Sequence, residues 1–141
     1  MTCFLGIDYG SKRIGLAVSG GGAIASPLDT LDVRGKLSEH VEAVIKRASE
    51  FDVEEFVVGL PLNMDDSEGE QAKVTRRFGE QLARRTGKTV HYFDERLTSR
   101  EARETLRDAG MTRKKSKARI DRLAARSMLQ SFLDSLPDDS A

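Results

Sequence analysis

The chain has one cysteine, no tryptophan and two histidines. A single thiol, Cys3, rules out an internal disulfide and a thiolate-rich metal site, and within an apolar run it reads as a small core residue. Apolar runs are short: none approaches the ~20 residues that a membrane helix needs, so no membrane partner is expected. Neither sign of charge is in excess, because 23 Lys and Arg balance 23 Asp and Glu. No basic stretch, apolar stretch and cleavage site precede the first apolar run, so no export signal is expected and the cytoplasm is the expected location. The G-x-x-x-x-G-K-[ST] phosphate loop, the G-x-G-x-x-G turn and the G-x-S-x-G elbow are all missing, which sets aside the chemistries built on them.

What is present suits one compact domain. With 141 residues, 38% hydrophobic and 33% charged, residues 1–141 are expected to fold around a single core. The charges are unevenly placed. Between Met111 and Arg126 the cations Arg113, Lys114, Lys115, Lys117, Arg119, Arg122 and Arg126 accompany a single acid, Asp121. Such a segment can serve as a phosphate-binding surface.

Apolar patterning predicts strands over Cys3–Tyr9 and Arg13–Ser19, each ended by a glycine turn. A third strand, Ala23–Leu31, is expected at the sheet edge, where Pro27 is tolerated. Leu37, Val41, Val44, Ile45 and Ala48 recur at helical spacing. Glu55–Leu60 is a strand stopped by Pro61, and Ser67-Glu68-Gly69-Glu70 has the spacing of a capping box for a helix bearing Ala72, Thr75, Phe78 and Leu82. Thr89–Phe93 is the last strand. Thr98-Ser99-Arg100-Glu101 repeats the capping-box spacing before a helix ending near Gly110, and Lys117–Leu136 is a final, largely apolar helix. The order predicts a mixed five-stranded sheet, three antiparallel strands then two parallel ones, with helices on both faces. Ligand chemistry in such sheets gathers at strand ends.

Three acids stand in unusual places. Asp8 lies in an otherwise apolar run, where an unpaired carboxylate is costly; an Asx turn onto Gly10 or Ser11, or a pair with Lys12 or Arg13, would also satisfy it. Glu95 and Asp94 follow the last strand, and Arg96 could pair with them. Asp94 is the better placed for a capping role, which leaves Glu95 as the functional candidate. Asp121 shares a helical face with Ala125, Met128 and Phe132, although a dipole contact or a pair with Arg119 or Lys117 would account for it. A cluster of three carboxylates without nearby cysteine or histidine selects Mg²⁺ or Mn²⁺. The expected catalytic and metal-holding residues are therefore Asp8, Glu95 and Asp121, and the residues expected to meet the nucleic-acid backbone are Lys12, Arg13, Arg96, Arg113, Lys114, Lys115 and Lys117. His40, on an amphipathic helix, and His91, in a strand, read as surface or core residues.

The segments GIDYGSKRIGLAVS (6–19), VVGLPLNMDDSEGEQA (57–72), DERLTSREA (94–102) and DRLAARSMLQSFL (121–133) together resemble the YqgF family of RuvC-like nucleases, nearly end to end. The resemblance implies an RNase H-like fold and places the family's three acids on Asp8, Glu95 and Asp121. Gly20, where the family often has an acid, and Asp66, where it often has glycine, are departures in loops. Members are assigned as Holliday junction resolvases or as nucleases processing the 5′ end of pre-16S rRNA. The expected function is metal-dependent phosphodiester hydrolysis in pre-16S rRNA processing, by a monomer or homodimer acting on structured RNA, with a pre-ribosomal particle as partner. Resolution of branched DNA, or a non-catalytic role in nucleic-acid binding or ribosome assembly, is the alternative. An ATP-binding reading of Asp8-Tyr9-Gly10-Ser11, after the sugar-kinase and actin superfamily, needs two such domains and so exceeds this chain's length.

Overall fold

The computed structural model describes residues 2–98 and 117–137. Five strands form one sheet: β1 (Phe4–Tyr9), β2 (Arg13–Val18), β3 (Ser26–Asp32), β4 (Glu55–Leu60) and β5 (Val90–Asp94), in the order β3-β2-β1-β4-β5. β1 pairs antiparallel with β2 and β2 with β3, whereas β1 with β4 and β4 with β5 are parallel. This is the mixed arrangement expected, with β3 at the edge. Helices α1 (Leu37–Ala48), α2 (Glu70–Thr86) and α3 (Lys117–Ser135) complete the described elements, with short 3₁₀ turns at Ser49–Phe51 and Glu95–Leu97.

Alternation along the strands divides the interior in two. On one face Leu5, Ile7, Ile14, Leu16, Phe56 and Val58 meet Val41 and Val44 of α1 and Phe78 and Leu82 of α2. On the other, Phe4, Ala17, Val57 and Phe93 meet Ala125, Met128, Leu129 and Phe132 of α3. Each large side chain buried this way contributes roughly 1.5–3 kcal/mol. Helices therefore cover both faces, but α3 lies on the face that carries the even-numbered residues of β1. Asp8 is the last of these.

Two local expectations are corrected. β3 begins at Ser26 rather than Ala23, because the three-glycine turn runs on into a loop that α3 holds: Gln130 accepts a hydrogen bond from the Ala25 amide and donates to the Ala23 carbonyl. The Ser67 capping box does not form. α2 starts at Glu70 behind Gly69, which offers no side-chain cap, while Ser67 folds back to donate to Asp65. Asp121 pairs with Arg13. The helix expected after Thr98, as far as Gly110, falls outside the described residues.

Candidate active site

β1 delivers Asp8 to the end of the sheet, between β2 and β4. Directly across the antiparallel pair, its partner is Gly15. On the other side, the register Ile7 to Val58 brings Gly59 next to Asp8. Both glycines lie beneath another element. A Cβ on Gly15 would sit 2.0 Å from the Asp121 carbonyl oxygen, and one on Gly59 would sit 2.8 Å from Glu95 Oε1. The absent side chains let the first turns of α3 settle over β2 and let Glu95 fold over β4. The Asp121 backbone and the Glu95 side chain thus flank Asp8 on its two sides.

Electrostatics show how closely. The Asp8 carboxyl is half-buried, and its pKa is pushed up to about 7, first by loss of solvation, then by the neighbouring charge of Glu95 and a hydrogen bond with it, and further by the charge of Asp121. Burial also raises Glu95, with the nearby Asp94 charge adding to the rise, although the hydrogen bond from Asp8 opposes it. Asp8 is accordingly the protonated partner that donates to Glu95. Asp121 is turned to the Arg13 guanidinium. Among the described residues no three Asp, Glu, His or Cys side chains stand ready-grouped around an ion. The donor set nevertheless fits a hard divalent cation, because all the candidate ligating atoms are carboxylate oxygens.

Asp94 does what its position suggested. It caps the 3₁₀ turn by accepting from the Arg96 amide, and the Arg96 side chain holds it below the ordinary carboxylate range. Arg96 donates to both Asp94 oxygens, to Asp66 and to the Asn63 carbonyl, binding the β5 end to the loop after β4. Lys12 is exposed in the β1–β2 turn. Arg13 serves Asp121. Lys117 opens α3, and Arg113, Lys114 and Lys115 lie outside the described residues. His40 is buried behind β1, with Nδ1 2.7 Å from the Tyr9 hydroxyl, and His91 pairs with Glu55 at 2.6 Å. Neither histidine joins the acids. Sequence reasoning missed Gly15 and Gly59, although a glycine inside a strand is itself a signal of close approach.

A family model described as "RuvX: Holliday junction resolvase" matches residues 2–135. The chain belongs to the RuvX family. A relative from Lachnospira eligens, named "Putative pre-16S rRNA nuclease", is 42% identical over 134 residues, covering 93% of this chain and 96% of the relative. One from Myxococcus xanthus with the same name is 42% identical over 130 residues, covering 92% and 86%. Among solved structures, the T. thermophilus RuvC in complex with Holliday junction substrate superposes with a TM-score of 0.64 at 14% identity, covering 95% of this chain and 96% of that one. A second Thermus thermophilus RuvC structure gives 0.53 at 18% identity, covering 94% and 96%. These neighbours establish for this RuvX family chain the RNase H-like fold of RuvC. Among the described residues no helix is long and apolar enough to cross a membrane.

The raised Asp8 pKa has a consequence for the protein without metal. A proton held more tightly in the folded state than in the unfolded one stabilises fully below the ordinary carboxylate pKa near 3.8, and that stabilisation is lost as pH rises through about 7. Asp8→Asn removes this loss. In excess chelator at pH 8 the variant should exceed the wild type by roughly 1–3 kcal/mol in urea unfolding, with no advantage at pH 4. An equal or lower stability at pH 8 would show that the carboxylates are not in conflict.

Proposed function

We propose that the chain is a divalent-metal-dependent nuclease that hydrolyses nucleic-acid phosphodiesters in 5′-end processing of pre-16S rRNA. The observation that carries this is the gathering of Asp8, Glu95 and Asp121 from three separate elements, two of them seated over glycines, at one end of the sheet, where Asp8 and Glu95 share a hydrogen bond and Asp121 pairs with Arg13. Folding gains nothing from such a group by itself. Asp8, Glu95 and Asp121 would hold Mg²⁺ or Mn²⁺, which when bound supplies an activated water and steadies the leaving oxygen of an in-line displacement.

The chain's own residues supply the rest. Asp8 has to give up its proton for the site to bind a cation, and Asp121 has to part from Arg13. Arg13 then stands at the site's edge as a cation for substrate phosphate, with exposed Lys12 beside it and the basic run from Arg113 to Lys117 as the further backbone contact. The RNA reading rests on relatives with the rRNA nuclease name that are 42% identical over nearly their whole length. Branched DNA is the second reading, favoured by the family's description. The expected setting is a cytoplasmic pre-ribosomal particle.

The test is one assay on three substrates: RNA spanning the 5′ end of the small-subunit rRNA, a four-way DNA junction and single-stranded DNA. Cleavage of the RNA should require Mg²⁺ or Mn²⁺, stop in excess chelator and resist rescue by monovalent salt. Full activity in chelator overturns the metal mechanism. Tight binding with no cleavage of any substrate would make the chain a binding factor.

A further inference from the structure

Beside Glu95 lies an open, shallow cavity of about 360 Å³ lined by Pro61, Leu62, Met64, Glu95 and Arg96. Its walls combine features that suit one kind of guest. Met64 is 89% exposed, yet the loop that carries it is firmly cross-linked. Asn63 exchanges backbone hydrogen bonds with Ser67 and Asp66, Leu62 bridges to Glu68, and Arg96 holds the Asn63 carbonyl at 2.9 Å. A large apolar side chain is thus held in water by a rigid loop, next to an acid of the candidate active site.

Arg96 gives the cavity its second property. Its Nε donates to Asp94, one Nη to backbone carbonyls and the other to Asp66 and Asp94. With its in-plane donors committed and two carboxylates on one guanidinium, this wall does not attract phosphate. What the fixed side chain leaves for a guest is the face of its guanidinium, and guanidinium planes are surfaces on which unstacked nucleobases settle.

We propose that the cavity receives an unpaired nucleobase of the substrate strand next to the scissile phosphate, packed between the Leu62 and Met64 side chains and the Arg96 plane. This rests on the nuclease reading and adds to it: the cut strand must be unpaired at that nucleotide. Lys12, Arg13 and the basic run meet the backbone, whereas the cavity meets a base, so removing the base and removing the backbone contacts have separable effects.

The probes are a fluorescent oligothymidylate of about 12 nucleotides and an abasic strand with the same phosphate backbone, titrated against the full chain in excess chelator so that neither is cut. Wild type should bind the thymidylate about 5- to 10-fold more tightly than the abasic strand. Met64→Ser, at a position too exposed to disturb folding, should bring the two affinities within about twofold while leaving the abasic strand's affinity unchanged. A base preference that survives Met64→Ser, or none in the wild type, overturns the cavity assignment alone. Failure to bind either probe overturns the cavity assignment, whereas the nuclease reading falls only if none of the three substrates is cut with Mg²⁺ or Mn²⁺ present.

Discussion

Asp8→Asn should leave substrate affinity within a fewfold of wild type and slow cleavage on the order of a thousandfold. The substitution keeps the size and hydrogen-bonding capacity of the side chain and removes the charge that a cation needs. The new amide can still face Glu95, so the fold has no reason to change. Glu95→Gln and Asp121→Asn should behave alike, and the double variants should lose little beyond either single, because ligands of one ion act as a unit. Asp121→Asn adds a diagnostic of its own. It loosens the hold on Arg13, so its affinity for nucleic acid should rise slightly while cleavage falls. Asp65→Asn is the control: Asp65 is fully exposed, its contact to the Ser67 amide is one that asparagine preserves, and its rate should stay within about twofold of wild type. Wild-type cleavage by a folded Asp8→Asn protein would take the site away from these residues.

Gly15→Ala should be the most damaging single methyl group in the described structure. Its Cβ would stand 2.0 Å from the Asp121 carbonyl oxygen and 2.5 Å from the carbonyl carbon, and a helix backbone, unlike a side-chain tip, has no rotamer by which to yield. Either α3 lifts from β2 or β2 bends away. The expected cost is roughly 3 kcal/mol or more in urea unfolding, together with loss of cleavage as Asp121 moves. Gly59→Ala is the informative contrast. The atom it meets is the end of the Glu95 side chain, at 2.8 Å, which can swing aside. Stability should change by under about 1 kcal/mol, while cleavage falls on the order of 10- to 100-fold because the carboxylate is displaced. Equal stability of wild type and Gly15→Ala would refute the close seating of α3.

The two variants also show why part of this protein could be read from its sequence and part could not. The apolar runs of β1 and β4, the alternation in β2 and the 3.6-residue spacing in α1 follow from which residues must leave water, so the strands, the mix of antiparallel and parallel pairing and the helical layers were accessible. The acids were accessible for a related reason: Asp8 and Asp121 interrupt apolar patterns that have no use for them. Pairing across the sheet left no such mark. That Arg13 would choose Asp121, 108 positions away, depends on where α3 lands on β2, and that in turn depends on Gly15. Ser67 misled because the spacing of a capping box is shared by a polar turn. Only the route of the chain decides whether the hydroxyl meets a helix amide or, as here, Asp65. Arg96 could be seen as a partner for Asp94, but its reach to Asp66 and Asn63 requires knowing that the loop after β4 folds back over the end of β5.

The last helix is both the lid of one core and the source of one acid. A nascent chain that has emerged only as far as β5 can already pack α1 and α2 against their side of the sheet, yet Phe4, Ala17, Val57 and Phe93 still face water and the place opposite Asp8 is blank. Docking of α3 closes that surface and delivers Asp121 in the same motion. The cutting centre of this proposed nuclease is therefore incomplete until that helix docks, and a chain cut off before it should leave nucleic acid uncleaved.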